Sequence, residues 1–106
     1  MKPISVALYT AANGREALSI DGELATLQAL VGGWIEALAM PDGLTLVCNE
    51  EGRLQDLQPH HAVLLASGVP QVIVGDFFVC RTTGSNFAGL RPGDLVLLDQ
   101  YVRPMA

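Results

Sequence analysis

Trp34-Ile35-Glu36-Ala37-Leu38-Ala39-Met40, then Pro41-Asp42-Gly43, then Leu44-Thr45-Leu46-Val47-Cys48-Asn49 is the stretch that decides the fold. The first run contains no breaker. Proline presets the first turn dihedral, Asp tolerates the second position and Gly supplies a positive φ, so the middle three residues reverse the chain. The third run alternates Leu44, Leu46 and Cys48 with Thr45, Val47 and Asn49. Together they predict a β-hairpin over about 34–49 whose register is set by its own turn.

Working outward, Gly32-Gly33 reads as the end of a helix, because glycine enters the left-handed region without a Cβ penalty. That helix begins near Asp21, placed as its N-cap, with Glu23 in the first turn and Leu24, Leu27, Leu30 and Val31 on one face. It is too short to hold alone and must pack on the hairpin. Upstream, Ile4, Val6 and Leu8 alternate with Ser5, Ala7 and Tyr9 as in a half-buried strand. Ala12-Asn13-Gly14 ends it, and Arg15 to Ile20 reads as a second strand.

Downstream of the hairpin, Asn49-Glu50-Glu51-Gly52 reads as a turn with Gly52 at positive φ. Pro59 opens a short helix through His60-His61-Ala62-Val63-Leu64-Leu65-Ala66, stopped by Gly68. Gln71 to Val74 and Phe77 to Arg81 read as strands around a Gly75-Asp76 type II′ turn, or as one bulged strand. Thr82 to Gly89 reads as loop. The run from Asp94 fits either helix or strand, and helix is preferred. The expected fold is α+β: a single small domain over residues 1–106 with a mainly antiparallel sheet, a central hairpin and two or three short helices.

Size and composition narrow the function. A chain of 106 residues holds one domain with a core of its own. Half its residues are hydrophobic and the mean hydropathy is +0.36, so strands apolar on both faces, or a surface covered by a partner or a second copy, are expected. A net charge of -5 with six dispersed basic residues argues against nucleic acid. Cys48 and Cys80 form neither a zinc framework nor a secreted disulfide pattern, which fits reduced thiols in the cytoplasm. No apolar run is long enough to span a bilayer, and Lys2-Pro3 is followed by no apolar h-region, so a soluble, unexported protein is expected.

Val31-Gly32-Gly33-Trp34-Ile35-Glu36, Leu46, Asn49-Glu50-Glu51-Gly52 and Ile73-Val74-Gly75-Asp76 together resemble an uncharacterised domain-of-unknown-function family of small proteins from bacteria, phages and other mobile elements. The likeness runs from Ile20 to Val79. It implies a fold and a genomic setting, with no activity to carry over. His60-His61 stands where the family more usually has Asn or basic residues.

Two groups of residues are candidate sites. Glu36, Asn49, Glu50 and Glu51 gather near one hairpin end, where carboxylates and an amide could contact a ligand; a plain turn with solvated acids explains them as well. Trp34, Phe77 and Phe78 form a candidate interaction surface: adjacent strand residues point to opposite faces, so one phenylalanine is exposed unless the sheet is covered on both sides. Core packing is the first expectation for Trp34. His60 and His61 should diverge by about 100° on a helix, or face opposite ways on a strand, and so cannot share a metal. No catalytic set, metal site or cofactor motif is assigned. The sequence reading is a non-enzymatic protein-interaction module with an unidentified partner, and the alternative is a small-molecule site at the hairpin end.

Overall fold

The computed structural model describes residues 3–52 and 54–105. β1 (Ile4–Thr10) turns through Gly14, at φ +67°, into β2 (Gly14–Ile20), and the two pair from Ile4↔Ile20 to Thr10↔Gly14. α1 (Leu24–Val31) ends at Gly32, whose φ of +80° closes the helix as its N–H donates to the Gln28 carbonyl. The decisive hairpin follows as β3 (Ile35–Ala39) and β4 (Leu44–Asn49), paired from Ile35↔Asn49 to Ala39↔Thr45. Its turn is one 3₁₀ turn, Pro41–Gly43, with Asp42 and Gly43 both at positive φ. The chain continues as β5 (Pro59–Leu64), β6 (Pro70–Val74), β7 (Phe77–Thr83), β8 (Asn86–Ala88), α2 (Asp94–Tyr101) and β9 (Val102–Pro104).

The strands form two antiparallel sheets, and the domain is predominantly β with two α-helices. The larger sheet runs β2-β1-β7-β4-β3, with β8 paired to the far end of β7; the smaller runs β6-β5-β9. Between them lies one apolar cluster: Ala7, Tyr9, Leu46, Cys48, Phe77 and Val79 from the larger sheet meet Val63, Ile73 and Val102 from the smaller, with Leu98 of α2. The opposite face of the larger sheet carries Val6, Val47, Phe78 and Cys80, and Leu27 and Val31 of α1 cover it.

Two-sided cover explains why β7 is apolar at Phe77, Phe78, Val79 and Cys80 without alternation, a pattern expected of a central strand buried on both faces. Phe77 and Phe78 are both fully buried, on opposite faces, so neither belongs to an interaction surface. Trp34 is the reverse case: expected in the core, it is 63% exposed, because it precedes β3 and stands outside both apolar clusters.

Four local expectations change. The helix from Pro59 is instead β5, whose buried positions His61 and Val63 alternate with half-buried neighbours; pairing to both β6 and β9 outweighs a favourable helix start. Gly75-Asp76 does not join a hairpin: β6 pairs with β5 and β7 with β1 and β4, so the two residues carry the chain from one sheet to the other. Part of the expected 82–89 loop is the β7–β8 hairpin. At α1, Glu23 takes the N-cap position, while the Asp21 carboxylate accepts the Glu23 N–H at 3.0 Å. Among the described residues no helix is long and apolar enough to cross a membrane.

Candidate functional site

The hairpin end and the edge of the smaller sheet enclose a cleft of about 240 Å³. One wall is Glu36 and Leu38 of β3 with Cys48 and Asn49 of β4. The other is Gln71 to Val74 of β6, and Glu50, Glu51, Gly52 and Leu54 close the end. It is therefore the open mouth between the two sheets. The position follows from register: Glu36 lies opposite Cys48 and Leu38 opposite Leu46, so Glu36 points to the inter-sheet side, past the end of the apolar cluster. β3 and β6 are both edge strands.

Asn49 holds the mouth in shape. It is 5% exposed; its Nδ2 donates to the Val31 carbonyl at 3.1 Å and to Gln55 Oε1 at 3.0 Å, while Oδ1 accepts the Glu51 N–H at 2.8 Å. Both amide protons are thus engaged within the chain, tying the end of α1 to the turn and the following loop. The amide of Glu50 donates to the Trp34 carbonyl at 2.8 Å, fixing the backbone on which the indole stands. Gly33 and Gly52 allow this packing through closeness rather than dihedral freedom. A Cβ on Gly33 would sit 3.0 Å from Asn49 Nδ2, and one on Gly52 only 2.7 Å from Val74 Cγ2. The expected positive φ of Gly52 is not found.

Of the sequence candidates, Glu36, Asn49, Glu50 and Glu51 line one cleft. Trp34 borders a second, shallower one with Gln28, Gly33, Glu51 and Gln55, so Glu51 stands between the two. Leu54 and Val72 add exposed apolar surface to the rim. Phe77 and Phe78 are elsewhere, inside the two core layers.

The chemistry open to this mouth is recognition of cations and hydrogen-bond donors. Glu36 Oε1 lies 3.9 Å from Cys48 Sγ and accepts its weak S–H bond. Burial, and then the Glu36 carboxylate, push the Cys48 thiol up to about 11, and burial alone pushes Cys80 up to about 12. Neither is a thiolate near neutral pH, the reverse of what a nucleophilic cysteine needs. Among the described residues no three His, Cys, Asp or Glu side chains converge as metal ligands do.

One cluster escaped the sequence reading. His60 and His61 do not diverge: where the β5–β6 register shifts between Pro59 and His61, the two rings meet edge to face, Nδ1 to Nδ1 at 2.6 Å, and His60 Nε2 meets Asp76 Oδ1 at 3.1 Å. A bulge has no signature in this run, so strand alternation alone misplaces the pair.

No curated protein and no solved structure matches the chain. A family match does, and it reaches well beyond the Ile20 to Val79 stretch, taking in the β1–β2 hairpin and α2. The chain belongs to the family described as a domain of unknown function, DUF3846, whose sequence model matches residues 4–103.

Proposed function

We propose that the protein is a non-enzymatic interaction module that holds a protein partner across the inter-sheet mouth and the shallower cleft beside it, with Trp34 of the shallower cleft as the anchor. The observation that carries this reading is the placement of the chain's only tryptophan: 63% exposed, on a backbone fixed by the Glu50 N–H, beside a polar cleft. A large rigid aromatic loses little freedom on binding, and tryptophan is enriched among residues that dominate interface energy. Glu36, Glu50 and Glu51 around the cleft, with Leu54 and Val72 at its rim, favour a partner segment that presents basic and apolar side chains together. The high thiol values of Cys48 and Cys80 support a non-catalytic role. Service to a mobile element or its host is the setting that the family resemblance implies, the cytoplasm is the one that the cysteine pattern favours, and both are part of the same proposal.

The sole tryptophan also supplies the test. Tagged protein and its Trp34→Ala variant, both checked for folding by circular dichroism, are used to capture partners from host lysate. The recovered partner is then titrated against the wild type while indole emission is followed. A stoichiometric partner held by the wild type, lost by Trp34→Ala, and shifting the emission to the blue supports the reading. Equal capture by both proteins, or none, overturns it and turns attention to a small molecule held by Glu36 and Glu50 in the same mouth.

A further inference from the structure

The His60–His61–Asp76 cluster sits where the chain leaves the smaller sheet for the larger. Asp76 belongs to the two-residue crossing between β6 and β7, and His60 and His61 lie at the irregular start of β5. The crossing is drawn tight. Gly75, at φ +82°, donates its N–H to the Gln58 carbonyl at 2.9 Å, and a Cβ there would stand 2.7 Å from Leu57 Cδ1. His60 to Asp76 is the side-chain bond that pins it.

Hydrogen-bond logic fixes the protons. Asp76 only accepts when ionised, so His60 Nε2–H donates to it. In a neutral imidazole that leaves His60 Nδ1 as an acceptor, and at 2.6 Å its donor is His61 Nδ1–H. The lone pair left over is His61 Nε2. One added proton can enter there while the bridging proton passes to His60, which then faces Asp76 as an imidazolium. A second added proton has no such place: both Nδ1 atoms would carry hydrogens across 2.6 Å, between two cations.

We propose that the His60–His61 pair, pinned by Asp76, is a proton-counting clamp on the crossing between the two sheets: it closes with no added proton or one, and opens with two. Among the described residues the surroundings offer the second proton no further carboxylate. From β1, Tyr9 packs edge-on to His61 at 5.1 Å between ring centres, and its buried hydroxyl lies toward Arg15. Burial holds that phenol neutral by pushing its pKa up, and the Arg15–Asp99 ion pair of β2 and α2 is its charged neighbourhood. Phe77 of β7 stacks on His60, β9 contributes Pro104 opposite His61, and Met105, just past β9, donates its N–H to the His60 carbonyl. Asp76 is the one carboxylate in contact with the pair among the described residues. Burial and then the charge of His60 hold His61 below the usual imidazole range, in keeping with a pair that resists full protonation. Since β6 is a wall of the mouth, its seating becomes proton-dependent whatever binds there.

The test is a ¹⁵N-imidazole NMR titration of the full chain, with amide exchange of residues 72–77, expressed as protection factors, followed across the same pH range. The expected result is two well-separated proton-uptake steps. Protection should be kept through the first and fall about tenfold or more through the second. Asp76→Asn, at a half-exposed position, should move the first step to lower pH and weaken protection before any acidification. His61→Phe, which keeps the aromatic packing, should abolish the second step and its loss of protection. Two histidines titrating independently, or unchanged protection at 72–77 through the second step, would overturn the proposal; so would an Asp76→Asn titration identical to the wild type.

Discussion

Arg81 on β7 and Asp94 at the first turn of α2 face each other as a two-pronged ion pair, Nε to Oδ2 at 2.7 Å and Nη2 to Oδ1 at 2.8 Å. The third prong of the guanidinium, Nη1, donates to the Asp42 carbonyl at 2.8 Å, and Asp94 also accepts the Arg91 N–H at 2.7 Å. Four chain segments meet here: β7, the decisive hairpin's turn, the approach to α2 and α2 itself. Tyr101 adds a hydrogen bond from its hydroxyl to the Asp42 carboxylate. The pair anchors α2 across the sheet from α1, at the opposite end of β4 from the mouth.

Removing one partner of such a pair strands the other. Arg81→Met should lower stability by about 3 kcal/mol near neutral pH, read as a fall in urea midpoint with little change in slope. The Arg81 guanidinium holds the Asp94 carboxyl below its usual range. A carboxyl with a lowered folded-state pKa contributes stability above its unfolded value, about 3.9, and loses it as pH falls through that value toward the folded one. The gap between wild type and Arg81→Met should therefore be full at pH 6 and shrink below pH ~4. A gap constant across that range would show that lost packing, not charge, causes the effect.

Trp34 and Phe78 should respond oppositely to alanine. Phe78 fills the layer between the larger sheet and α1 with no exposed surface, so Phe78→Ala leaves a cavity and should cost about 3–5 kcal/mol. Trp34→Ala removes mainly solvent-exposed area and should stay within about 0.5 kcal/mol. Chemical denaturation of both variants decides. A large loss for Trp34→Ala would mean that the indole packs as a structural element and would remove the anchor from the proposed function.

What the sequence disclosed and what it hid divide along the range of the forces involved. The β3–β4 hairpin was legible because Pro41-Asp42-Gly43 reverses the chain through its own dihedrals, and α1 ended where Gly32 could close it. The β1–β2 pair was legible from alternation and Gly14. β5 was not: Pro59 and a short apolar run satisfy a helix start equally well, and the strand exists because β6 and β9 flank it. Gly75-Asp76 has hairpin chemistry, yet the strands on either side answer to different sheets, a decision made by burial of Phe77 and Phe78 on two faces at once. In the site, the acids sharing one cleft followed from the hairpin register. Trp34 outside the core and the facing histidines did not: Trp34 stands just before β3, beside the end of α1, and the histidines meet at a register shift that strand alternation does not announce.

Gly52 tests the seating of the mouth on β6. A Cβ there would meet Val74 Cγ2 at 2.7 Å and the Val74 carbonyl at 3.2 Å, and the residue is buried. Gly52→Ala should thus destabilise by about 1–3 kcal/mol through overpacking, although no positive φ is involved. Trimming the neighbour should relieve part of it: in a Gly52→Ala/Val74→Ala double-mutant cycle the coupling should be favourable, with the carbonyl contact leaving a remainder. Additive effects would place the turn away from β6 and dissolve the mouth as a formed cleft.

The two cysteines give a chemical reading of the same mouth. Thiols raised to about 11 and about 12 leave Cys48 with roughly a hundredfold less thiolate than an ordinary cysteine near neutral pH, and Cys80 with less still. Iodoacetamide should therefore modify the native protein far more slowly than the urea-unfolded chain, with Cys48 ahead of Cys80 because it borders the cleft while Cys80 lies under α1. Part of the Cys48 shift comes from Glu36, whose carboxylate stands across the strand pair. Glu36→Gln should accordingly speed alkylation of Cys48 severalfold and leave Cys80 unchanged, which peptide mapping by mass spectrometry resolves residue by residue. Equal acceleration at both sites would instead report general loosening of the fold, and no acceleration would place the Glu36 carboxylate too far from Cys48 to act on it.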